Sequence, residues 1–361
     1  MMPSMITENQ QFDSGWPLFG HTKAVQMLSR SLRSGHVSHA YLITGPPGVG
    51  KRTLAIAFAM ALNCEAADPP LGTFPIEPCG LCRSCGQILR GAHPDVAEID
   101  LQVQAAALND GRSKQASPKE IRIDLVRELQ ASIGLQPYSG RRRVYIIGDA
   151  DRLNEEASNC LLKTLEEPPA QAVLLLLAPD ELSVLPTISS RCLHIPLRPL
   201  PLKAVEVALV ERWNAPEDEA GLLAALSGGR PGRALALLRD RDAPDRRKLA
   251  LERVALLSGS SISERISLAA DLAKLFTDTR VELYEMLDTW ESWWRDVAVV
   301  GASASELITN RDQSQALVSS AKRVGVQQAA KALELIDETR LQLQENVNPR
   351  LAFEALTIGL P

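Results

Sequence analysis

Between Gly45 and Thr53 the sequence reads GPPGVGKRT, which sets glycines 45, 48 and 50 and Lys51 at the spacing of a phosphate-binding loop. In such a loop successive backbone N–H groups and the next helix's N-terminus surround the phosphates. The lysine reaches the outer phosphates, and the hydroxyl after it holds Mg²⁺. Gly45, Gly48, Gly50 and Lys51 supply the first parts, but Arg52 stands where the hydroxyl belongs. Thr53 comes one residue late, and a helix turns its side chain roughly 100° away from the required direction. The pattern is that of a phosphate loop with a damaged metal site, and it predicts weak ATP binding or none.

A second set of residues could hold a metal. Cys64 follows the loop, and CGLCRSC places Cys79, Cys82 and Cys85 in two overlapping C-x₂-C steps. Thiolates at this spacing can turn onto one tetrahedral Zn²⁺, and four of them close the site to water, so the expected role is structural. Disulfides are disfavoured in a reducing compartment, and a redox-active C-x₂-C would normally open a helix of a different fold. Cys160 and Cys192 lie far off, and Cys160 reads as a buried apolar residue.

Elements that could position these residues are visible on either side. The run 39–44, HAYLIT, has strand length and character, and KRTLAIAFAMALNC after the loop carries apolar residues at helical spacing. Prolines and glycines between 69 and 78 make that segment too irregular for helix or strand. Residues 144–147 form a second buried-type strand. At its end an ATPase of this kind carries an aspartate for Mg²⁺ and then a glutamate that polarises water, where this chain has Gly148 and Asp149. A shift of one register restores an aspartate but puts Ala150 in the glutamate's place. The helix that follows begins at the cap residue Asn154 and stops before Pro168 and Pro169. A third strand spans 172–179, TISSRCLHIPL runs over 187–197, and the polar stretch 101–120 is expected to be largely a mobile loop.

Composition narrows the class. With 361 residues, 45% hydrophobic and 23% charged, the chain can bury sizeable cores in two or three domains. Its net charge of -5 gives no bulk attraction to nucleic acid, though a local basic surface is compatible with it. No apolar run is long enough for a membrane span, and residues 1–16 have neither the basic start nor the apolar core of a secretion signal, so the expected location is cytoplasmic.

KTLEEPP followed by SSRC, behind a phosphate loop interrupted by a four-cysteine module, resembles the clamp-loader subunits of bacterial DNA polymerase III, members of the AAA+ family. Further matching stretches are GHTKAVQMLSRSLRSGHVSHAYL, IRIDLVRELQ, PYSGRRRVYII, LSGGRPGRALALL and NVNPRLAFEAL, so the similarity runs through nearly the whole chain. The family's motor subunits carry a hydroxyl at position 52, an Asp-Glu pair at 148 and 149, and a polar residue near Ala178 and Pro179. This chain departs from all of these. It keeps Ser190, Arg191 and Cys192, the motif whose arginine in this family reaches a neighbour's ATP site. The resemblance therefore implies a structural, non-hydrolysing subunit that donates Arg191 in trans while a sliding clamp is loaded onto primed DNA. In isolation Arg191 would read as a surface arginine after a strand. Arg233 corresponds to the family's second sensor, and a helix-start packing role for it is about as well founded as a phosphate contact.

The resemblance also implies an α/β AAA+ domain over 1–197, a parallel sheet with helices on both faces and a zinc module inserted at about 64–85. A small helical lid over 198–241 and an all-helical collar over 242–361 follow. Trp290, Trp293, Trp294 and Val297 fall at i, i+3, i+4 and i+7 and mark one apolar helix face, which reads as bundle core ahead of base stacking. Implied partners are gamma/tau-type and delta-type subunits, met through the AAA+ and collar domains, with clamp and DNA engaged through the complex. The alternative is an ATP-hydrolysing motor whose unusual Mg²⁺ site uses Asp149 or Asp151. Nothing in the sequence resembles a polymerase active site.

Overall fold

The structure, a computed structural model, describes residues 15–66, 73–108, 120–257, 259–345 and 347–361. Contacts divide the chain into two compact units. One ends at Ala208 and also takes in Gly229–Arg233, and the other comprises Leu209–Gly228 and Ala234–Pro361.

The first unit begins with α1 (Thr22–Ser34), β1 (Ala40–Thr44), α2 (Lys51–Asn63), α3 (Arg83–Leu89), β2 (Val96–Ile99) and α4 (Leu101–Leu108). It continues through α5 (Ile123–Ile133), β3 (Arg143–Ile147), α6 (Glu155–Glu166), β4 (Ala172–Ala178), α7 (Pro186–Ser189) and β5 (Leu193–Pro196) into α8 (Leu202–Trp213). The strands form one parallel sheet in the order β2-β3-β4-β1-β5. Strand β4, AVLLLLA, is buried at every position. A continuous apolar run is what a central parallel strand covered on both faces requires.

Because side chains alternate across a strand, β1, β3 and β4 each feed two cores. Tyr41, Ile43, Val144, Ile146, Val173, Leu175 and Leu177 join α1 and α2 on one face. Ala40, Leu42, Tyr145, Ile147, Leu174 and Leu176 join α5 and α6 on the other. Helix α2 is buried from Leu54 to Asn63, which explains why its sequence is apolar almost all round. Asn154 caps α6 by accepting from the Ala157 N–H at 2.8 Å.

Three details depart from the sequence reading. The stretch 101–120 is helical at its start, as α4, while residues 109–119 lie outside the described part. Two carboxylates stabilise that start: Asp149 Oδ2 accepts from the Leu101 N–H at 3.0 Å and Asp100 Oδ1 from that of Val103 at 2.7 Å. Cys160 is half-buried and donates to Gln130 Oε1, so it does more than fill space. Strand β2 has no counterpart in the sequence reading; among the described residues it is an edge strand pairing with β3 alone, and Glu98 breaks its apolar run.

The second unit holds α9 (Glu217–Ser227), most of α10 (Pro231–Arg239), α11 (Ala243–Leu257), α12 (Ile262–Asp278), α13 (Arg280–Gly301), α14 (Ser314–Val324), α15 (Val326–Gln344) and α16 (Pro349–Gly359). Its core contains Trp290, Trp293, Trp294 and Val297, all buried on one face of α13, and Trp290 Nε1 donates to Ala250 O at 2.8 Å. The indoles are thus packing groups. Among the described residues no helix is long and apolar enough to cross a membrane.

Candidate functional site

The phosphate loop leaves β1 at Gly45 and enters α2 at Lys51. Gly45, Gly48 and Gly50 have φ of 147°, 80° and 116°, and a Cβ on Gly45 would lie 2.3 Å from Leu197 O. Only glycine fits that corner. Its N–H donates to Pro179 O at 3.0 Å, tying the loop to the end of β4.

Within this loop the lysine is engaged by the chain itself. Lys51 Nζ donates to Gly45 O. Burial lowers the Lys51 pKa, against the opposing pull of the Asp151 and Asp149 carboxylates. The Gly232 N–H donates to Gly48 O at 2.8 Å, so the start of α10 lies against the loop. A Cβ on Gly232 would stand 2.9 Å from that oxygen, and one on Gly48 would stand 3.0 Å from Arg233 N. This close backbone approach accounts for both glycines. Arg233 is half-buried at this crossing, and Thr53 sits half-buried on α2.

Arg52 forms a two-pronged ion pair with Glu98 of β2, with Nη2 2.6 Å from Oε2 and Nε donating to Oε1. The residue in the hydroxyl's position therefore turns to a strand edge and carries a cation of its own. At the end of β3 the Gly148 N–H donates to Ile99 O at 2.7 Å, and a Cβ at Gly148 would lie 2.8 Å from Asp100 Cβ. Asp149 is committed to the first turn of α4 through Leu101. Burial raises the Asp151 carboxyl pKa, with Arg152 Nε 3.2 Å away.

The cysteines converge. The Sγ atoms of Cys64, Cys79, Cys82 and Cys85 all lie within 4.8 Å of one another. Tetrahedral Zn–S bonds of ~2.3 Å place sulfurs about 3.8 Å apart, and Cys79 and Cys85 are 3.9 Å apart. Gly80, at φ 71°, makes the turn that lets Leu81 N and Cys82 N donate to Cys79 Sγ at 3.4 and 3.3 Å. Cys85 N donates to Cys82 Sγ at 3.4 Å. Burial raises the Cys82 pKa, but N–H groups of Cys85 and Glu65 outweigh it and bring the thiol down to about 7. Burial pushes Cys64 and Cys85 upward. Sulfurs so placed, with N–H donors aimed at them, suit a soft divalent cation, and the cluster is compatible with zinc.

The third site lies where α7 runs into β5. Ser190 is exposed and its Oγ donates to Thr187 O at 3.2 Å. Arg191 keeps 37% of its side chain exposed. Its Nη1 donates to Thr187 O at 2.9 Å and its Nη2 to Glu166 Oε1 at 2.8 Å. Cys192 is half-buried, and burial pushes its thiol up to about 12, which leaves it inert. Beyond the motif, His194 bridges Thr44 Oγ1, 2.7 Å from Nε2, and Glu181 Oε2, 3.2 Å from Nδ1. Sequence reasoning singled out none of Glu98, Asp100, Glu166 or His194. Glu98, Glu166 and His194 act through partners distant in the chain, which no local pattern marks, whereas Asp100 accepts from Val103 N three residues on, a local helix-start cap.

A protein-family model described as "DNA polymerase III, delta subunit" matches residues 20–201. The DNA polymerase III subunit tau of Salmonella typhimurium is 31% identical over 267 residues, covering 74% of this chain and 37% of that protein. The subunit delta' of Pseudomonas aeruginosa is 36% identical over 196 residues, 54% of each chain. The delta' of Bacillus subtilis is 27% identical over 338 residues, 94% of this chain and 95% of its own. The chain thus spans little more than a third of the first of these relatives and about half of the second.

Proposed function

Since this chain belongs to the DNA polymerase III clamp-loader family of AAA+ proteins, we propose that it is a delta'-type subunit, a non-hydrolysing member that lends Arg191 to the ATP site of an adjacent motor subunit. The observation that carries this reading is Arg52. In the place of the Mg²⁺ hydroxyl stands a guanidinium paired with Glu98, so the loop offers no protein ligand to the metal that phosphoryl transfer needs. Gly148, pressed against Asp100, supports the same conclusion for the second metal ligand. Arg191 by contrast is accessible, and a guanidinium presented to a transferring phosphoryl group is worth ~10³ to 10⁵ in rate where such arginines have been measured.

In this reading residues 1–197 form the AAA+ base, 198–241 the lid and 242–361 the collar. Base and collar meet gamma/tau-type and delta-type subunits in the cytoplasm. The sliding clamp and primed DNA are engaged through the complex, and replication is the process served. Cys64, Cys79, Cys82 and Cys85 hold a structural zinc, while Gly45, Gly48, Gly50, Lys51, Thr53 and Arg233 form a vestigial nucleotide site of weak affinity or none. Relatives named tau make the motor alternative worth stating. It would need Asp149 or Asp151 as metal ligand, and Asp149 already serves Leu101.

Steady-state ATP hydrolysis by the purified chain, beside Lys51→Ala, is the test. The expected rate is background for both proteins. Robust turnover that disappears in Lys51→Ala would establish the motor reading instead.

A further inference from the structure

We infer that Glu166 is a positioning residue for Arg191, an inference that rests on the arginine-donor reading above. Glu166 closes α6, and Arg191 follows α7, so the two reach each other across two elements 25 residues apart. A free arginine side chain spreads over many rotamers, and holding it in one costs about 2 kcal/mol of entropy. Here the guanidinium is held at two points, by Glu166 Oε1 at 2.8 Å on Nη2 and by Thr187 O at 2.9 Å on Nη1. A guanidinium has five N–H donors in a planar fork. With two of them directed at Glu166 and Thr187, the plane of the fork is fixed while three remain for phosphate oxygens.

The Thr187 contact is a backbone carbonyl that every side-chain substitution preserves, so Glu166 is the adjustable half of the grip. Glu166 is 52% exposed, which keeps its charge solvated and its pull on the guanidinium moderate. A deeper, dry pair would hold the arginine too tightly to share it with a phosphate. The moderate pair fixes direction without neutralising the donor.

The test uses the full chain reconstituted with gamma/tau- and delta-type subunits, sliding clamp and primed DNA. The motor subunits not adjacent to Arg191 carry a substituted loop lysine, so that turnover reports the one interface. Glu166→Ala should lower kcat for ATP about two- to fivefold, the size of one exposed ion pair realised at the transition state, with KM unchanged. Glu166→Gln, which keeps an acceptor oxygen, should recover part of the loss. Arg191→Ala should fall ~10³-fold or more, and Glu166→Ala added to it should change nothing further. Wild-type or faster turnover in Glu166→Ala, with Arg191→Ala impaired, would overturn the role of Glu166 and leave the donor reading standing. Wild-type turnover in Arg191→Ala would overturn the donor reading itself. An equal fold-loss from Glu166→Ala whether or not Arg191→Ala is also present would make Glu166 merely structural.

Discussion

At the scale of single residues, the positions at which this chain departs from the motor pattern are tied into their surroundings. Gly148 is walled in by Asp100, whose Cβ would stand 2.8 Å from a new Cβ there, and Asp100 is in turn bonded to Val103 N. Gly148→Asp should therefore destabilise the protein by roughly 1–3 kcal/mol through overpacking and should confer no turnover, even combined with Arg52→Thr. Urea unfolding of the single mutant, showing wild-type stability, would contradict this. Asp95 is a second case. Its side chain is fully buried and accepts from the N–H groups of Tyr138, Ser139 and Gly140 at 2.7–2.8 Å. Burial raises its pKa, but those N–H groups and nearby Arg143 outweigh burial and hold the carboxyl below its ordinary value. A depressed folded pKa contributes stability that is fully present above the unfolded value of about 4 and is lost as pH falls through the folded one. Asp95→Asn should cost about 3 kcal/mol at neutral pH. The gap to wild type should narrow as pH falls below about 4. A gap independent of pH would mean that the charge of Asp95 does not hold this loop.

At the scale of elements, the cysteine centre joins the end of α2 to the start of α3, with Cys64 just past one helix and Cys82 capping the other. Metal analysis of protein purified under reducing conditions should find one zinc per chain. Cys82→Ser should lower the thermal midpoint and leave ATP-dependent steps intact at temperatures where the protein remains folded. Protein free of zinc yet equally stable would refute the structural role. In the helical unit Arg265 ties two helix ends together, donating to Leu257 O of α11 at 2.6 Å and to Thr357 O of α16 at 2.7 Å. A cation at two helix C-termini is doubly favoured. Arg265→Ala should cost ~2–3 kcal/mol, and lysine should restore only part because it lacks the fork; a thermal midpoint unchanged by Arg265→Ala would dismiss the role. Much of this scale is legible in the sequence. Strand, glycine loop and helix stand in order from His39 to Cys64, Asn154 announces α6, and the tryptophan spacing marks the buried face of α13. What escapes is set by long-range pairing. Strand β2 is short and broken by Glu98, whose partner Arg52 lies 46 residues away. The start of α4 depends on Asp149, 48 residues from Leu101. Neither periodicity nor propensity encodes such bonds.

At the scale of the whole molecule, the proposed function has a chain whose Lys51 and Arg52 are engaged internally, and which keeps part of the Arg191 side chain at the surface, complete another subunit's chemistry. The measurement that tests this most directly is clamp- and DNA-stimulated ATP hydrolysis, with clamp loading, by reconstituted complexes containing wild-type or Arg191→Ala chains. The account predicts that Arg191→Ala leaves the isolated chain folded, with whatever weak nucleotide affinity it has unaltered, and abolishes most turnover at the interface it completes, slowing loading in step. Arg191→Lys should rescue poorly, since an ammonium lacks the planar fork. Unchanged hydrolysis and loading in the Arg191→Ala complex would contradict the account and make Arg191 a surface residue of its own subunit.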